Sequence, residues 1–350
     1  MRPQTIIAPD PDARFHALSR PACGLFAGLL LAALAVLLAA PAAHAQVRVE
    51  RLYNGVNRPI PVEITIPNAA GDAELRLLEP ESARVLARAG VSSGRADLAA
   101  LFPQLWAAGS GRESPKLLYA QLFVADAPVG PALVLQPLNS PPIASNSPQG
   151  IRWQPSGNTY SGLRIYTDQH VVLETTAGEI EFRLRPDHAP NTAWNFRHLV
   201  EGGFYTDIIF HRIIGDRPGR APFVIQVGDP TGTGTGGPGY MIDLEPSRLP
   251  HDFGVLSMAR TNEPNTNGSQ VFVGLSREGT SFLDGNYTTF AEAVAGAQAI
   301  LEISNVRVDQ GDRPLGDPPR IVRAFLKDAA PYSARPARVQ RPAAESIRRD

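Results

Sequence analysis

Between Phe204 and Phe290 the chain repeats short apolar runs, too brief for helices and fenced by glycine and proline. These runs are Phe210-His211-Arg212-Ile213-Ile214, Phe223-Val224-Ile225-Gln226-Val227-Gly228-Asp229 and Leu256-Ser257-Met258-Ala259-Arg260. A fourth, Gln270-Val271-Phe272, follows Pro264-Asn265-Thr266-Asn267-Gly268-Ser269. Such pieces fold as strands. One arginine and two glutamines recur among aromatic and aliphatic side chains, a set suited to an apolar cup rimmed by amides beside one fixed positive charge. The 31 Gly and 33 Pro agree with a turn-rich, mainly β chain.

A length of 350 residues favours two domains. Hydrophobic content of 43% and charged content of 19% describe a globular protein. A net charge of -1 removes any bulk attraction to nucleic acid or anionic membranes. Residues Gly24 to Ala40 are apolar, Arg14 and Arg20 precede them, and Ala43-His44-Ala45 follows. This pattern predicts a signal peptide over residues 1–45, cleaved after Ala45, and a secreted or periplasmic product. The alternative is a membrane anchor over residues 24–40, the one case in which a membrane is a partner. Cys23 lies in the leader, so cleavage removes all thiol chemistry.

Residues 46–138 are predicted to form a small β-sandwich-like domain. Alternating runs recur at Val47–Leu52, Val62–Ile66, Ala73–Leu77, Leu117–Val124 and Ala132–Leu135, with a short helix over Ala96–Phe102 ended by Pro103. This stretch contains no catalytic cluster, which suggests a spacer or docking role. Residues 139–162 read as a Pro/Ser/Asn-rich linker, held where Ile151 and Trp153 can pack. The second domain, 163–327, opens with a hairpin of Val171–Glu174 and Ile180–Leu184 around Thr176-Ala177-Gly178. A helix follows from Pro190, with Phe196, Leu199 and Val200 on one face and Gly202-Gly203 as its stop. Residues 328–350 form a basic tail, expected to be flexible.

Over residues of about 168–327, these ordered motifs resemble the cyclophilin family of peptidyl-prolyl cis-trans isomerases, in the manner of its secreted or periplasmic bacterial members. The resemblance implies an eight-stranded β-barrel with flanking helices and an enzyme that isomerises X-Pro bonds in exported proteins, with no cofactor and no metal. It implies that Arg212 is the catalytic guanidinium, that Gln226 and Gln270 orient it and hold the peptide, and that Phe223, Val224, Phe272 and Leu283 form the proline pocket. Ala259, Arg260, Phe282 and Tyr287 fall on further substrate-binding positions, Arg260 where the family binds peptide mainly through main-chain groups. Partners would be proline-containing polypeptides. Phe282 stands where tryptophan is frequent, which implies weak binding of cyclosporin-like macrocycles. Gly215–Pro222 intervenes where the family has a very short connection, and it lies beside the groove.

Two motifs are declined. Gly234-Thr235-Gly236-Gly237-Pro238-Gly239 fits a dinucleotide fingerprint, but strand-like Tyr240-Met241-Ile242 follows instead of a helix, so no nucleotide is expected. His211 and His251 lack metal-ligand spacing. The rival readings are a catalytically weak proline-peptide binding module or chaperone on the same fold, and a protein whose N-terminal unit carries the function.

Overall fold

The computed structural model describes residues 46–66, 72–107, 116–155 and 160–343. The expected leader and anchor fall outside these residues. Among the described residues no helix is long and apolar enough to cross a membrane.

The first part of the chain is built from β1 (Gln46–Val49), β2 (Tyr53–Gly55), β3 (Pro61–Thr65), β4 (Ala73–Leu78), β5 (Val85–Gly90) and β6 (Gly94–Asp97). Two single turns, α1 (Leu98–Leu101) and α2 (Gln104–Ala107), precede β7 (Leu118–Val124), β8 (Ala127–Pro137), β9 (Ile143–Ser147), β10 (Gly150–Gln154) and β11 (Gly162–Thr167). A three-stranded sheet, β1-β3-β6, faces a six-stranded sheet, β2-β11-β8-β7-β4-β5, across a shared core that includes Val62, Ile64, Leu75, Leu122, Leu133 and Ile165. The expected short helix is the single turn α1, with the Asp97 carboxylate accepting from Ala99 N–H.

Two expectations need correction. Leu163–Thr167, assigned from sequence to the second domain, pairs with β8 and inserts Leu163 and Ile165 into the first core. The preceding linker carries its own hairpin, β9 against β10. The basic tail is not a solvated extension over its described part. Tyr332 is buried beside Tyr119, Val134 and Tyr166, on the face of the six-stranded sheet opposite the first core. Both faces of that sheet are therefore covered along β7, which is buried from Tyr119 through Phe123, Gln121 included, instead of on alternate residues as expected.

The second part comprises β12 (Gln169–Thr175), β13 (Gly178–Leu184), α3 (Pro190–Glu201), β14 (Ile208–Ile209), β15 (Arg212–Ile214), β16 (Val224–Val227), β17 (Val255–Met258), β18 (Val271–Gly274), α4 (Arg277–Thr280), β19 (Thr289–Ala295), α5 (Ala297–Ser304) and β20 (Arg320–Asp328). Its sheet runs β14-β20-β12-β13-β19-β17-β18-β16-β15. The first and last members are successive pieces of one segment, interrupted at Phe210 and His211, so the nine pieces curl into the expected barrel of eight strands. Phe182, Phe196, Phe210 and Phe290 fill the interior. Phe290 gets there through a bulge. β17 pairs Leu256 with Ala291 and then Ser257 with Thr289, leaving Phe290 as the extra residue.

Helix α3 joins the two parts. Phe196, Leu199 and Val200 enter the barrel core, while Trp194 meets Tyr166 at 5.0 Å. Its N-cap, Ala189, has no side chain to cap the helix. Buried Glu245 does so from a remote loop, accepting from Asn191 N–H at 3.1 Å and Thr192 N–H at 2.7 Å.

Candidate active site

Adjacent strands assemble the site by register. Arg212 pairs with Gln226, Gln226 with Phe272, and Phe272 with Ser257. Directly paired residues share a face, and their neighbours along each strand take the other. Ile213, Ile225, Val273 and Leu256 fill the barrel interior, so the row from Arg212 to Ser257 faces outward. One row therefore delivers a cation, an amide and an aromatic floor.

Val224, Phe272 and Leu283 form a separate apolar cluster, with Phe223, Ala259 and Tyr287 packed around it. The Phe272 ring meets Tyr287 edge-on at 5.8 Å and lies parallel to the His251 ring, also at 5.8 Å. Phe282 is 67% exposed and stacks on Phe223 at 5.6 Å, forming a rim. Gln226 Nε2 donates to Gln270 Oε1 at 2.9 Å, and Gln270 Nε2 donates to the carbonyls of Gly234 and Gly236 at 3.0 and 2.9 Å. Next to this pair opens a cavity of about 560 Å³ whose lining includes Gln226, Gln270, Ala259, Gly236, Tyr240 and Thr266. All the apolar positions expected from sequence thus converge on one preformed cup, with both glutamines at its edge.

Residues 170–325 match the model of the family described as cyclophilin type peptidyl-prolyl cis-trans isomerase/CLD. The peptidyl-prolyl cis-trans isomerase ppi1 of Schizosaccharomyces pombe is 41% identical over 160 residues, a match covering 44% of this chain and 97% of that protein. This chain belongs to the cyclophilin-type peptidyl-prolyl cis-trans isomerases. The peptidyl-prolyl cis-trans isomerase-like 1 of Aspergillus fumigatus is 40% identical, over 44% of this chain and 92% of its own length. A Cryptosporidium parvum cyclophilin type isomerase, crystallised in the presence of the dipeptide Ala-Pro, is 34% identical over 45% of this chain and 99% of its own, with a TM-score of 0.41.

In this cyclophilin the arginine stands at the edge of the outward row. Its side chain is 46% exposed, and the nearest recorded carboxylate, Asp312, has Oδ2 3.8 Å from Arg212 Nε. The inserted residues 215–222 leave and return on paired positions, since Ile214 pairs with Val224 and Phe223 N–H donates to Ile214 O at 2.9 Å. The insertion therefore lengthens a connection without shifting Arg212 against Gln226.

The Arg260 side chain does more than its family position implied. Its guanidinium donates to Asn286 O at 3.1 and 2.9 Å and covers the Tyr287 ring at 4.6 Å, bracing that wall of the cup.

Sequence reasoning missed a polar chain beneath the floor. His251 Nδ1 lies 2.9 Å from Asp284 Oδ1, and its Nε2 lies 3.0 Å from Ser257 Oγ. Burial, the largest influence, holds the His251 pKa below the ordinary value although Asp284 works against it. The order serine, histidine, aspartate has the form of a hydrolytic triad, but Ser257 is fully buried beneath Phe272 and cannot meet a substrate. The arrangement supports the cup from below.

The glycine-rich loop turns its amides onto a side chain of its own. Its amides already hold an anion, because Asp229 accepts from Thr231 N–H at 2.7 Å and Gly234 N–H at 2.6 Å. Burial opposes the charge on Asp229, but hydrogen bonds from the Thr231 hydroxyl and the backbone of Gly236, Thr231 and Gly234 outweigh it and keep the carboxyl far below its usual pKa. Glu81, Asp187 and His188 bring possible ligand atoms within 4.8 Å of one another. A guanidinium stands where a metal would sit: Arg185 Nη2 is 2.7 Å from Asp187 Oδ2 and 2.6 Å from His188 Nε2.

Proposed function

We propose that this cyclophilin accelerates X-Pro isomerisation in exported proteins, with Arg212 stabilising the twisted amide. The observation that carries the catalytic part is the pairing of Arg212 with Gln226 beside the cup of Val224, Phe272 and Leu283. Resonance gives the amide a barrier of about 18–20 kcal/mol. A prolyl ring seated in the cup leaves its nitrogen beside the guanidinium. As conjugation is lost the nitrogen becomes pyramidal, and an Arg212 N–H donates to its lone pair. That bond exists only in the twisted state, so it raises the rate instead of merely tightening binding. A thousandfold to millionfold acceleration needs about 4–8 kcal/mol, within reach of one charged donor acting with fixed positioning.

Arginine suits the role because it stays charged and its planar fork is rigid. The adjoining cavity shares Ala259, Gln226 and Gln270 with the cup and supports contact with residues flanking the proline. The clients' export is inferred from the leader-like sequence of residues 1–45, as is the secreted or periplasmic placement. Uncatalysed prolyl steps take tens of seconds, so such an enzyme would assist folding outside the cytoplasm.

Exchange of an Ala-Pro test peptide, followed by NMR line shapes, tests the reading. Arg212→Ala should lower kcat/KM by about a hundredfold or more, and Arg212→Lys should restore little of it. Wild-type exchange from Arg212→Ala would remove the proposed mechanism.

A further inference from the structure

Two arginines share one carboxylate at the edge of the cup. Asp312 Oδ1 accepts from Arg217 Nη2 at 2.6 Å, while Asp312 Oδ2 lies 3.8 Å from Arg212 Nε. Arg217 belongs to the inserted loop, and the contact spans residues 95 apart in sequence. We propose that Asp312 is a positioning residue for Arg212, and that Arg217 keeps it from closing onto that arginine. This inference rests on the catalytic role given to Arg212 above.

The supporting framework is rigid on both sides. Asp312 O accepts the N–H of Ile213, the residue after Arg212, at 2.8 Å, so its backbone is docked against β15. Asp312 adopts φ 65, a left-handed conformation costly for residues with a Cβ. A turn enforces it: Asp309 Oδ1 accepts from Gly311 N–H and Arg313 N–H at 2.8 and 2.9 Å. Arg313 Nη2 then donates to Thr233 O at 2.7 Å, fastening this turn to the glycine-rich loop beside the cup. Glycine would relieve the backbone at 312, but only a side chain can reach both arginines.

The insertion is fastened as well. Arg217 and Arg220 form an antiparallel bridge, and Arg341 pairs with Asp216 at 2.5 Å while donating to Leu275 O at 2.7 Å.

A lone carboxylate beside an arginine closes into a two-point pair, which would occupy the N–H edge the substrate amide requires. Arg217 takes one oxygen and half-neutralises the charge. The other oxygen lies 3.8 Å from Arg212 Nε, close enough to attract the guanidinium but too far for a two-point pair. The carboxylate orients Arg212 without capturing it.

The test is a double-mutant cycle on the full chain, using Ala-Pro peptide exchange and the Arg212 Nε–H signal in NMR. Asp312→Asn keeps a residue that tolerates the left-handed backbone. Arg217→Ala should lower kcat three- to tenfold with KM within twofold of wild type, and should slow exchange of the Arg212 Nε proton with water. Arg217→Lys should restore the rate. Asp312→Asn should lower kcat two- to threefold, and Arg217→Ala with Asp312→Asn should match Asp312→Asn alone. Arg217→Gln gives a second variant if the alanine form is unstable in thermal unfolding. Wild-type kcat in Arg217→Ala or in Asp312→Asn, a double mutant as slow as Arg217→Ala, or an Arg212 Nε–H signal unchanged throughout would each overturn the proposal. Wild-type exchange in an Arg212→Ala control is a separate outcome that defeats the catalytic reading itself, whereas the Nε–H signal reports the pairing whatever the activity.

Discussion

Tyr332 packs against Tyr119 with ring centroids 4.3 Å apart, tying the C-terminal segment to the first sheet. Its N–H donates to Gln121 Oε1 at 2.8 Å, and its hydroxyl accepts from Glu81 N–H at 3.0 Å. Three residues on, Arg335 pairs with nearly buried Asp168, and its guanidinium lies 3.7 Å from the Tyr332 ring centroid. Asp168 sits between β11 and β12, where the two parts of the chain meet. The C-terminal segment therefore acts as a strap across that junction.

Removing the strap should cost stability. Tyr332→Ala should destabilise by about 3 kcal/mol through lost packing. Arg335→Ala should cost about 3 kcal/mol, because it strands a buried carboxylate. Urea unfolding midpoints measure both, and midpoints within error of wild type would show that the strap is not holding the fold.

Arg260→Ala should loosen the Tyr287 wall. A cation–π contact at a partly exposed site is worth about 0.5–1 kcal/mol, so KM for a proline peptide should rise about two- to fivefold with kcat little changed. A fall in kcat at constant KM would contradict the bracing role.

Acid should destabilise the protein in two windows. His188, His211 and His251 all have pKa values lowered primarily by burial. Unfolded histidines titrate near about 6.5, so below that value the unfolded state binds more protons than the native state. Stability is complete above about pH 6.5 and falls as pH drops through the lower native pKa values. Tm should decrease from pH 7.5 to pH 5.5. His211→Phe should flatten that slope, since it removes one of the buried imidazoles whose protonation opposes folding. The lowered carboxylates Asp187, Asp229 and Asp284 act later, below about pH 4. A Tm independent of pH from 7.5 to 5.5 would contradict the histidine assignment.

Processing of the leader should be visible in the intact mass of exported protein, with Gln46 as the first residue of the mature chain. A membrane-bound species retaining residues 1–45 would favour the anchor instead.

Strand periodicity marked the individual strands, whereas the barrel and its cup were legible because a run of ordered motifs resembles the cyclophilin family. Phe223, Val224, Gln226, Gln270 and Phe272 lie on or beside strands whose apolar partners dictate register, and a slip of one residue would turn Arg212 inward. The hairpin of β12 and β13 was equally local, since its turn chemistry sits between the strands. Tertiary structure decided what depends on charges and rings meeting across long separations. Nothing near Asp312 marks it as a neighbour of Arg212, nothing near Glu245 marks it as the cap of α3, and an arginine-rich tail looks solvated until Tyr332 and Arg335 find Tyr119 and Asp168. Side-chain alternation is written into a strand by its geometry, whereas an ion pair between distant loops exists only once the fold has brought those loops together.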